Sequence, residues 1–343
     1  MKIFTPLSIL CLLSVPALSH AEQTNTVVND AEVNNEVVKD PYASIYDNVL
    51  QHNADNAVLY CAELQTSLES KSSDVRHQAF VQLAEGWGRV QASYILGDYD
   101  MNAMDYPLMV DYFHSGNEDI HESIERLVGR DSKPSTALYK NSYKTMGAID
   151  SVMFSGEWSE RRKAFAEVMV ANVCKRFIQI SDGYKANRDE FLFDVDRGLS
   201  LVVNAEIEHI YKTRDWRIAQ VSGLTKANLG ETKPEHQQYP YSEASWAFIG
   251  GVLETNRQLL AEDQQPNVAT IAYEKHGKEG INAVQAALEN SLLAYKNTPA
   301  DHNFNLNDMI PIFQGLLDVQ KAFYRHLVSQ IGVSANLIDA DGD

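Results

Sequence analysis

The sequence predicts an all-α protein built from helix bundles. From Pro41 onward, apolar residues recur at steps of three and four along most of the chain, which is the period of an amphipathic helix. The sequence has no alternating apolar and polar pattern long enough to be typical of strands. Amphipathic helices bury their apolar faces against one another, and bundles are the architecture that results.

Four apolar faces carry this prediction. Each is a run of side chains that would lie on one side of a helix. In chain order, they are Val75, Ala79, Leu83, Trp87, Val90 and Tyr94; Phe165, Met169, Val173, Phe177 and Ile180; Ile281, Val284, Leu288, Leu292 and Tyr295; and Ile312, Leu316, Val319, Phe323 and Leu327.

Capping residues indicate where some of these helices begin and end. Ser73-Asp74 is expected to open the first, and Asn307-Asp308 to precede the last, with Pro311 in its first turn. Pro299 follows a helix that we expect to end near Lys296, since proline is common just beyond a helix end.

The first 21 residues predict a secretory signal peptide. Lys2 is followed by an apolar stretch around Ile9–Val15, and small residues precede a cleavage site after Ala21. We therefore expect a periplasmic protein of a Gram-negative bacterium, with no transmembrane segment once the signal is removed. Residues 22–40 are polar and rich in asparagine, which predicts a flexible leader.

The net charge of −18 excludes two classes of partner. A strongly acidic protein is repelled by nucleic acid phosphates and by anionic lipid surfaces, so we expect neither as a partner.

Cys61 and Cys174 remain in the mature chain, both on predicted helices. An oxidising compartment permits one bridge between them. A bridge between two helices demands a close and specific geometry, so the sequence favours two buried free thiols over a disulfide.

The chain of 343 residues is long enough for two domains of ordinary size. We place the break around Asn187–Asp196, which divides the mature chain into helical bundles at residues 41–190 and 191–343. The segment Ser222–Ser242 contains several glycines and prolines and is long for a bundle connection. It is therefore either a functional loop or a mobile one.

One segment resembles a known family. Residues Lys144–Gly156, followed by Glu157–Lys163, are similar to the signature of the imelysin family, in which a helix carries Gly-x-His-x-x-Glu. The family histidine falls on Gly147 and the family glutamate on Asp150. Further blocks that resemble the family, in the expected order, are Ala84–Tyr94, Glu160–Phe165, Tyr241–Ile249 and the tail Ile331–Asp343.

The resemblance implies two packed four-helix bundles, export, an association with bacterial iron uptake, and a site between the bundles near the signature helix. Glycine has no side chain to bind a metal, so we expect neither the metal pair nor a cofactor, and no catalytic residue. The predicted function is an exported imelysin-like binding or accessory protein linked to iron uptake. Its expected partner is a small ligand or an iron-uptake component.

Six residues are candidates for this ligand groove, each in or beside a block that resembles the family. They are Trp87, Asp150, Arg161, Arg162, Glu243 and Ser245.

The chemistry of these candidates leaves alternatives open. Asp150 is expected to meet Arg161 or Arg162, either in a ligand site or as a structural ion pair. The two arginines have the geometry to grip a carboxylate, although a helix start does not favour cations. Glu243 is also explained as a first-turn residue of a helix that Ser242 caps.

A metallopeptidase with a relocated site is the alternative function. His121 and Glu125 are four residues apart, which places them on one helical face as candidate metal ligands. A solvated charged face explains the same two residues more simply. A third class is a structural surface protein, which would present a contiguous apolar patch.

Overall fold

The protein is described by a computed structural model that covers residues 40–335, and within this range it contains helices and no strand. The predicted all-α class is confirmed. The α-helices are α1 (Pro41–Ile45), α2 (His52–Ser67), α3 (Ser73–Ala92), α4 (Tyr106–Val110), α5 (Ile120–Val128), α6 (Pro134–Ala137), α7 (Met146–Phe154), α8 (Glu160–Phe193), α9 (Val195–Lys212), α10 (Gln220–Ser222), α11 (Ser245–Leu260), α12 (Val268–Glu274), α13 (Lys278–Asn297), α14 (Leu306–Ala322) and α15 (Val328–Ile331).

The four predicted apolar faces lie mainly on α3, α8, α13 and α14, and most of their side chains are buried. Val75 is an exception, since it is exposed in the first turn of α3. Tyr94 lies beyond the end of α3, and Phe323 and Leu327 lie in the π-helical segment that continues α14.

The start of α14 also differs from the prediction. Asn305 is the capping residue and accepts a hydrogen bond from the Asp308 amide at 3.1 Å, so Pro311 lies inside the helix rather than in its first turn.

Two long helices meet where the sequence predicted a break. Helix α8 ends at Phe193 and α9 begins at Val195, with the Asp194 side chain accepting a hydrogen bond from the Arg197 amide at 3.1 Å. The described residues belong to one compact unit. The division into bundles at residues 41–190 and 191–343 stays a prediction. The signal at 1–21, almost all of the leader and tail residues 336–343 lie outside the described residues.

Helices α3 and α11 cross with their backbones in contact. A Cβ atom at Gly88 would overlap the carbonyl oxygen of Phe248, and one at Gly251 would overlap the carbonyl oxygen of Glu85. Both positions therefore require glycine for the close approach. Because α3 and α11 are far apart in sequence, this crossing ties the two halves of the chain together.

The expectation of two free thiols is wrong. Cys61 on α2 and Cys174 on α8 form a disulfide, with their Cα atoms 5.4 Å apart. That separation is within the range that a disulfide spans without moving the backbone. Helices α2 and α8 pack side by side, which spacing along the sequence does not reveal.

Among residues 40–335, no helix combines the length and the apolar character that crossing a bilayer demands.

Alanine substitutions at two helical glycines should have opposite effects. Gly88→Ala forces a methyl group into the backbone of α11 and should lower the free energy of unfolding by about 1–3 kcal/mol. Gly147→Ala meets no atom within 4 Å of its Cβ, and should leave stability unchanged or raise it by about 0.4–1 kcal/mol. Urea unfolding of both variants measures the difference, and equal effects would contradict the crossing.

Candidate functional site

The signature helix α7 is held in the interior by its composition. Seven of its nine residues are buried, and they include Asp150 and Ser151 besides the apolar side chains. A helix that is apolar on most sides needs neighbours all around it, and α7 packs against α5 and α8. The polar residues that it carries are consequently brought into a water-poor environment.

A cavity of about 390 Å³ lies beside this helix, and Gly147 forms part of its wall. No atom lies within 4 Å of the position that a Cβ at Gly147 would occupy. We call this space the signature cavity. Its side chains come from α5, α7, the segment Asp111–Phe113 and the loop before α11.

The signature cavity is acidic and aromatic. Asp111 and Asp150 are buried in its wall, and Asp119 and Glu235 are exposed. The histidines are His121 and His236, and the aromatic residues are Tyr112, Phe113 and Tyr241. The long segment Ser222–Ser242, interpreted above as a functional or a mobile loop, contributes five residues to the wall. They are Glu235, His236, Gln238, Pro240 and Tyr241.

Asp150 has the smallest exposed fraction of the four acids in the cavity wall. It is 1 % exposed, and its two carboxylate oxygens accept hydrogen bonds from the main-chain amides of Tyr241 at 3.1 Å and Ser242 at 2.9 Å. Burial raises the pKa of Asp150 to about 6, although these hydrogen bonds lower it. No arginine contacts this carboxylate among the described residues, so the expected pairing with Arg161 or Arg162 is wrong.

Comparison with known proteins places the fold. The chain is similar to a crystal structure of an imelysin-like protein from Psychrobacter arcticum, with a TM-score of 0.72 over 86 % of this chain and 95 % of that one. The two sequences are 13 % identical over this match. No protein-family model matches the chain, and no curated protein matches it.

The chain has an imelysin-like fold. The helix that resembles the family signature is α7, and Gly147 and Asp150 both line the same cavity. They are three residues apart on a helix, so their positions lie on one side of it.

Arg162 has a different role from the predicted grip on a ligand. Its Nη2 lies 2.5 Å from Glu125 Oε2 in an ion pair, and its Nη1 donates to the carbonyl oxygens of Val152 at 3.1 Å and Ser151 at 3.4 Å. The carbonyl groups at the end of a helix attract a cation. Arg162 therefore joins the end of α7 to α5, and it does not line the signature cavity.

Arg161 lies at the start of α8, but its guanidinium donates hydrogen bonds at the end of α5. It donates to the carbonyl oxygen of Val128 at 3.2 Å and to that of Arg130, and its guanidinium carbon lies 4.6 Å from the centroid of the Phe165 ring. A cation at the start of α8 is unfavourable for the dipole of that helix. The guanidinium of Arg161 instead lies at the end of α5, where the helix dipole favours a cation.

His121 and Glu125 share one face of α5, and both reach α7. His121 Nδ1 lies 2.9 Å from Ser151 Oγ, and its ring centroid is 4.5 Å from that of Tyr241. Glu125 is engaged by Arg162 and accepts a hydrogen bond from Ser155 at 2.9 Å. Residues 40–335 contain no group of three His, Cys, Asp or Glu side chains arranged for a metal ion. The role of His121 and Glu125 as metal ligands stays a prediction.

Three further candidates lie outside the cavity. Trp87 is fully buried in the core, where its ring packs at 5.8 Å against Phe177. Glu243 is exposed, with a left-handed backbone at φ 59°. Ser245 is buried, and its hydroxyl accepts a hydrogen bond from the Tyr239 amide at 2.9 Å, which braces the loop before α11. Helix α11 begins at Ser245, so Ser242 does not cap a helix start at Glu243 as expected.

The sequence did not point to Asp111, which organises the far wall of the cavity. This buried carboxylate accepts hydrogen bonds from the Tyr239 hydroxyl, from Gln238 Nε2 at 2.5 Å and from the Phe113 amide at 3.1 Å. Burial raises the pKa of Asp111, against these hydrogen bonds. Asp111 and Gln238 both lie in segments without helical periodicity. Only the polar composition of these segments could have indicated from the sequence that they belong to a site.

Asp150 should make the stability of this protein depend on pH. Its pKa is raised from 3.8 to about 6. Between these pH values Asp150 is therefore protonated in the folded state and ionised in the unfolded state. The contribution of Asp150 therefore falls as pH rises from 4 to 6, by about 1.4 kcal/mol for each unit of pKa shift. Asp150→Asn lacks this titration.

Urea unfolding of the wild type and Asp150→Asn at pH 4, 5, 6 and 7 measures the effect. The stability of the wild type relative to the variant should decline across this range. A difference that stays constant would show that the carboxylate is solvated in the folded protein.

Proposed function

We propose that this chain is an exported binding or accessory protein of the periplasm, linked to bacterial iron uptake, that takes a small ligand in the signature cavity. The observation that carries the proposal is the open space at Gly147. Where the resemblance places an imidazole, this chain has an empty volume beside a buried carboxylate. A volume of about 390 Å³ is within the range of small-molecule sites.

The lining supports a cationic ligand. Asp119 and Glu235 are exposed carboxylates at the cavity, and Asp150 is a buried one. Tyr112, Phe113 and Tyr241 contribute aromatic rings to the lining, and the face of an aromatic ring attracts cations. A small organic amine or a metal cation would meet favourable charge on several sides of this space.

Binding without catalysis is the preferred form of the proposal because of the side chains at the signature positions. Gly147 has none, and both oxygens of Asp150 are engaged by main-chain amides. The alternative is a metallopeptidase with a relocated site on α5. A metal at His121 and Glu125 would have to displace the guanidinium of Arg162, whose ion pair with Glu125 joins α5 to α8.

Filling the cavity tests ligand binding. Gly147→Leu should project its side chain into the open space and weaken binding of spermidine or Fe²⁺, the two cationic probes, at least tenfold, which is about 1.4 kcal/mol. Isothermal titration calorimetry measures both affinities. Gly129→Ala is the matched control, since Gly129 lies at the end of α5 and its Cβ would meet ordinary contacts only.

Two results would count against this function. Equal affinities of the wild type and Gly147→Leu for both probes would place binding elsewhere. Stoichiometric zinc in the purified protein, together with peptide cleavage that a chelator blocks, would establish the metallopeptidase instead.

The link to iron rests on the family resemblance and has its own test. The abundance of the chain in its native cells, measured by quantitative mass spectrometry, should rise several-fold when an iron chelator is added to the medium. Restoring iron should reverse the rise. An abundance that does not respond to iron would contradict the link to iron uptake. It would not bear on whether the signature cavity binds a ligand.

A further inference from the structure

The acids of the signature cavity have no basic residue beside them in its lining. Among the described residues, the lining contains Asp111, Asp119, Asp150 and Glu235 but neither lysine nor arginine. The charge of Arg217, from outside the lining, acts on Asp111 alone of the four. None of the four forms an ion pair within residues 40–335. The lining therefore carries negative charge that the chain itself leaves largely uncompensated.

A groove between α2 and α8 shows the contrasting arrangement. It is lined by Asp55 and Asp182, and also by Lys185. The Nζ of Lys185 lies 3.2 Å from Asp55 Oδ1 and 3.9 Å from Asp182 Oδ1. That groove supplies its own cation, whereas the signature cavity leaves the position of a cation to a ligand.

A neighbouring open space of about 540 Å³ continues the acidic surface. It shares Asp119 and His236 with the signature cavity and adds Glu118, again with no lysine or arginine among its described lining residues. Glu118 is already paired with Lys140, at 2.8 Å. Asp119 is thus the unpaired acid common to both spaces, and a ligand bound beside it has room to extend from one into the other.

Tyr241 lies among these negative charges. It is 37 % exposed, its main-chain amide donates to Asp150 at 3.1 Å, and its ring centroid is 4.5 Å from that of His121. Burial raises the pKa of Tyr241, and the negative charges of Asp119, Asp150 and Glu125 raise it further. The phenol therefore stays neutral at physiological pH, in a region of negative potential.

These features suit an organic cation better than a metal ion. A metal ion needs several oxygen or nitrogen ligands that converge on it at about 2.0–2.6 Å. Residues 40–335 contain no group of three His, Cys, Asp or Glu side chains so arranged, and both oxygens of Asp150 accept main-chain amides. An alkylammonium ion is held by the charge of nearby acids and by contact with aromatic rings, and neither requires such convergence.

We propose that the ligand of the signature cavity is a small organic ammonium ion, and that Tyr241 selects it over a metal ion. This inference rests on the proposed function, because it requires a ligand in that cavity. The carboxylates supply the attracting charge. The ring of Tyr241, together with those of Tyr112 and Phe113, supplies contact surface for the carbon atoms attached to the nitrogen.

Tetramethylammonium is the probe, since it has no N–H group and its binding depends on charge and ring contact alone. Calorimetry on the mature chain at pH 7.5, above the pKa of about 6 of Asp150, should show saturable binding. Tyr241→Leu should weaken it at least fivefold, and Tyr241→Phe, which keeps the ring, should stay within twofold of the wild type. Tyr139→Leu is the matched control, because Tyr139 is an exposed tyrosine that lines neither space.

Both substitutions of Tyr241 keep the main-chain amide that binds Asp150, and thermal unfolding of each variant checks its fold. Gly147→Leu provides a second route to the same site, since no atom lies within 4 Å of a Cβ at Gly147. It should weaken tetramethylammonium binding at least tenfold. Fe²⁺, titrated without oxygen, should show no affinity that depends on Tyr241.

Two outcomes would overturn this inference and leave the proposed function in place. One is Fe²⁺ binding that Gly147→Leu weakens, without saturable tetramethylammonium binding up to about 10 mM. The other is tetramethylammonium binding that Gly147→Leu weakens and Tyr241→Leu does not. If neither probe binds in a way that depends on Gly147, the inference and the proposed function both fail.

Discussion

At Gly88 and Gly251, α3 and α11 run backbone against backbone, because neither residue has a side chain to hold the helices apart. Phe248, whose carbonyl oxygen faces Gly88, is fully buried at this crossing. Its ring lies 6.3 Å from that of Tyr239 and 4.4 Å from the guanidinium carbon of Arg217. The crossing therefore sets the position of Phe248, against which Tyr239 and Arg217 pack.

A buried hydrogen-bond network packs against Phe248, and its members Asp111 and Gln238 line the signature cavity. Gln238 joins Asp111 to Arg217, and Tyr239 donates to Asp111. Satisfied networks of this kind stabilise a single arrangement, while each unpaired member costs free energy. The network is complete around Asp111, whereas Arg217 Nη1 is buried without a hydrogen-bond partner among the described residues.

The signature helix has no side chain at position 147. At position 150, the Asp150 carboxylate accepts hydrogen bonds from two main-chain amides of the loop before α11. Arg161 and Arg162, which sequence reasoning placed in a groove, instead bind the ends of α5 and α7. These two arginines therefore join α8 to the ends of α5 and α7.

The sequence by itself determined the helical class and the positions of the main helices. These properties are local, because periodicity and composition are written into neighbouring residues. Tertiary structure decided the disulfide between Cys61 and Cys174, the main-chain partners of Asp150, and the neutral amide partners of Arg217. Each of these depends on which distant backbone arrives beside a side chain, and helical periodicity contains no information about that.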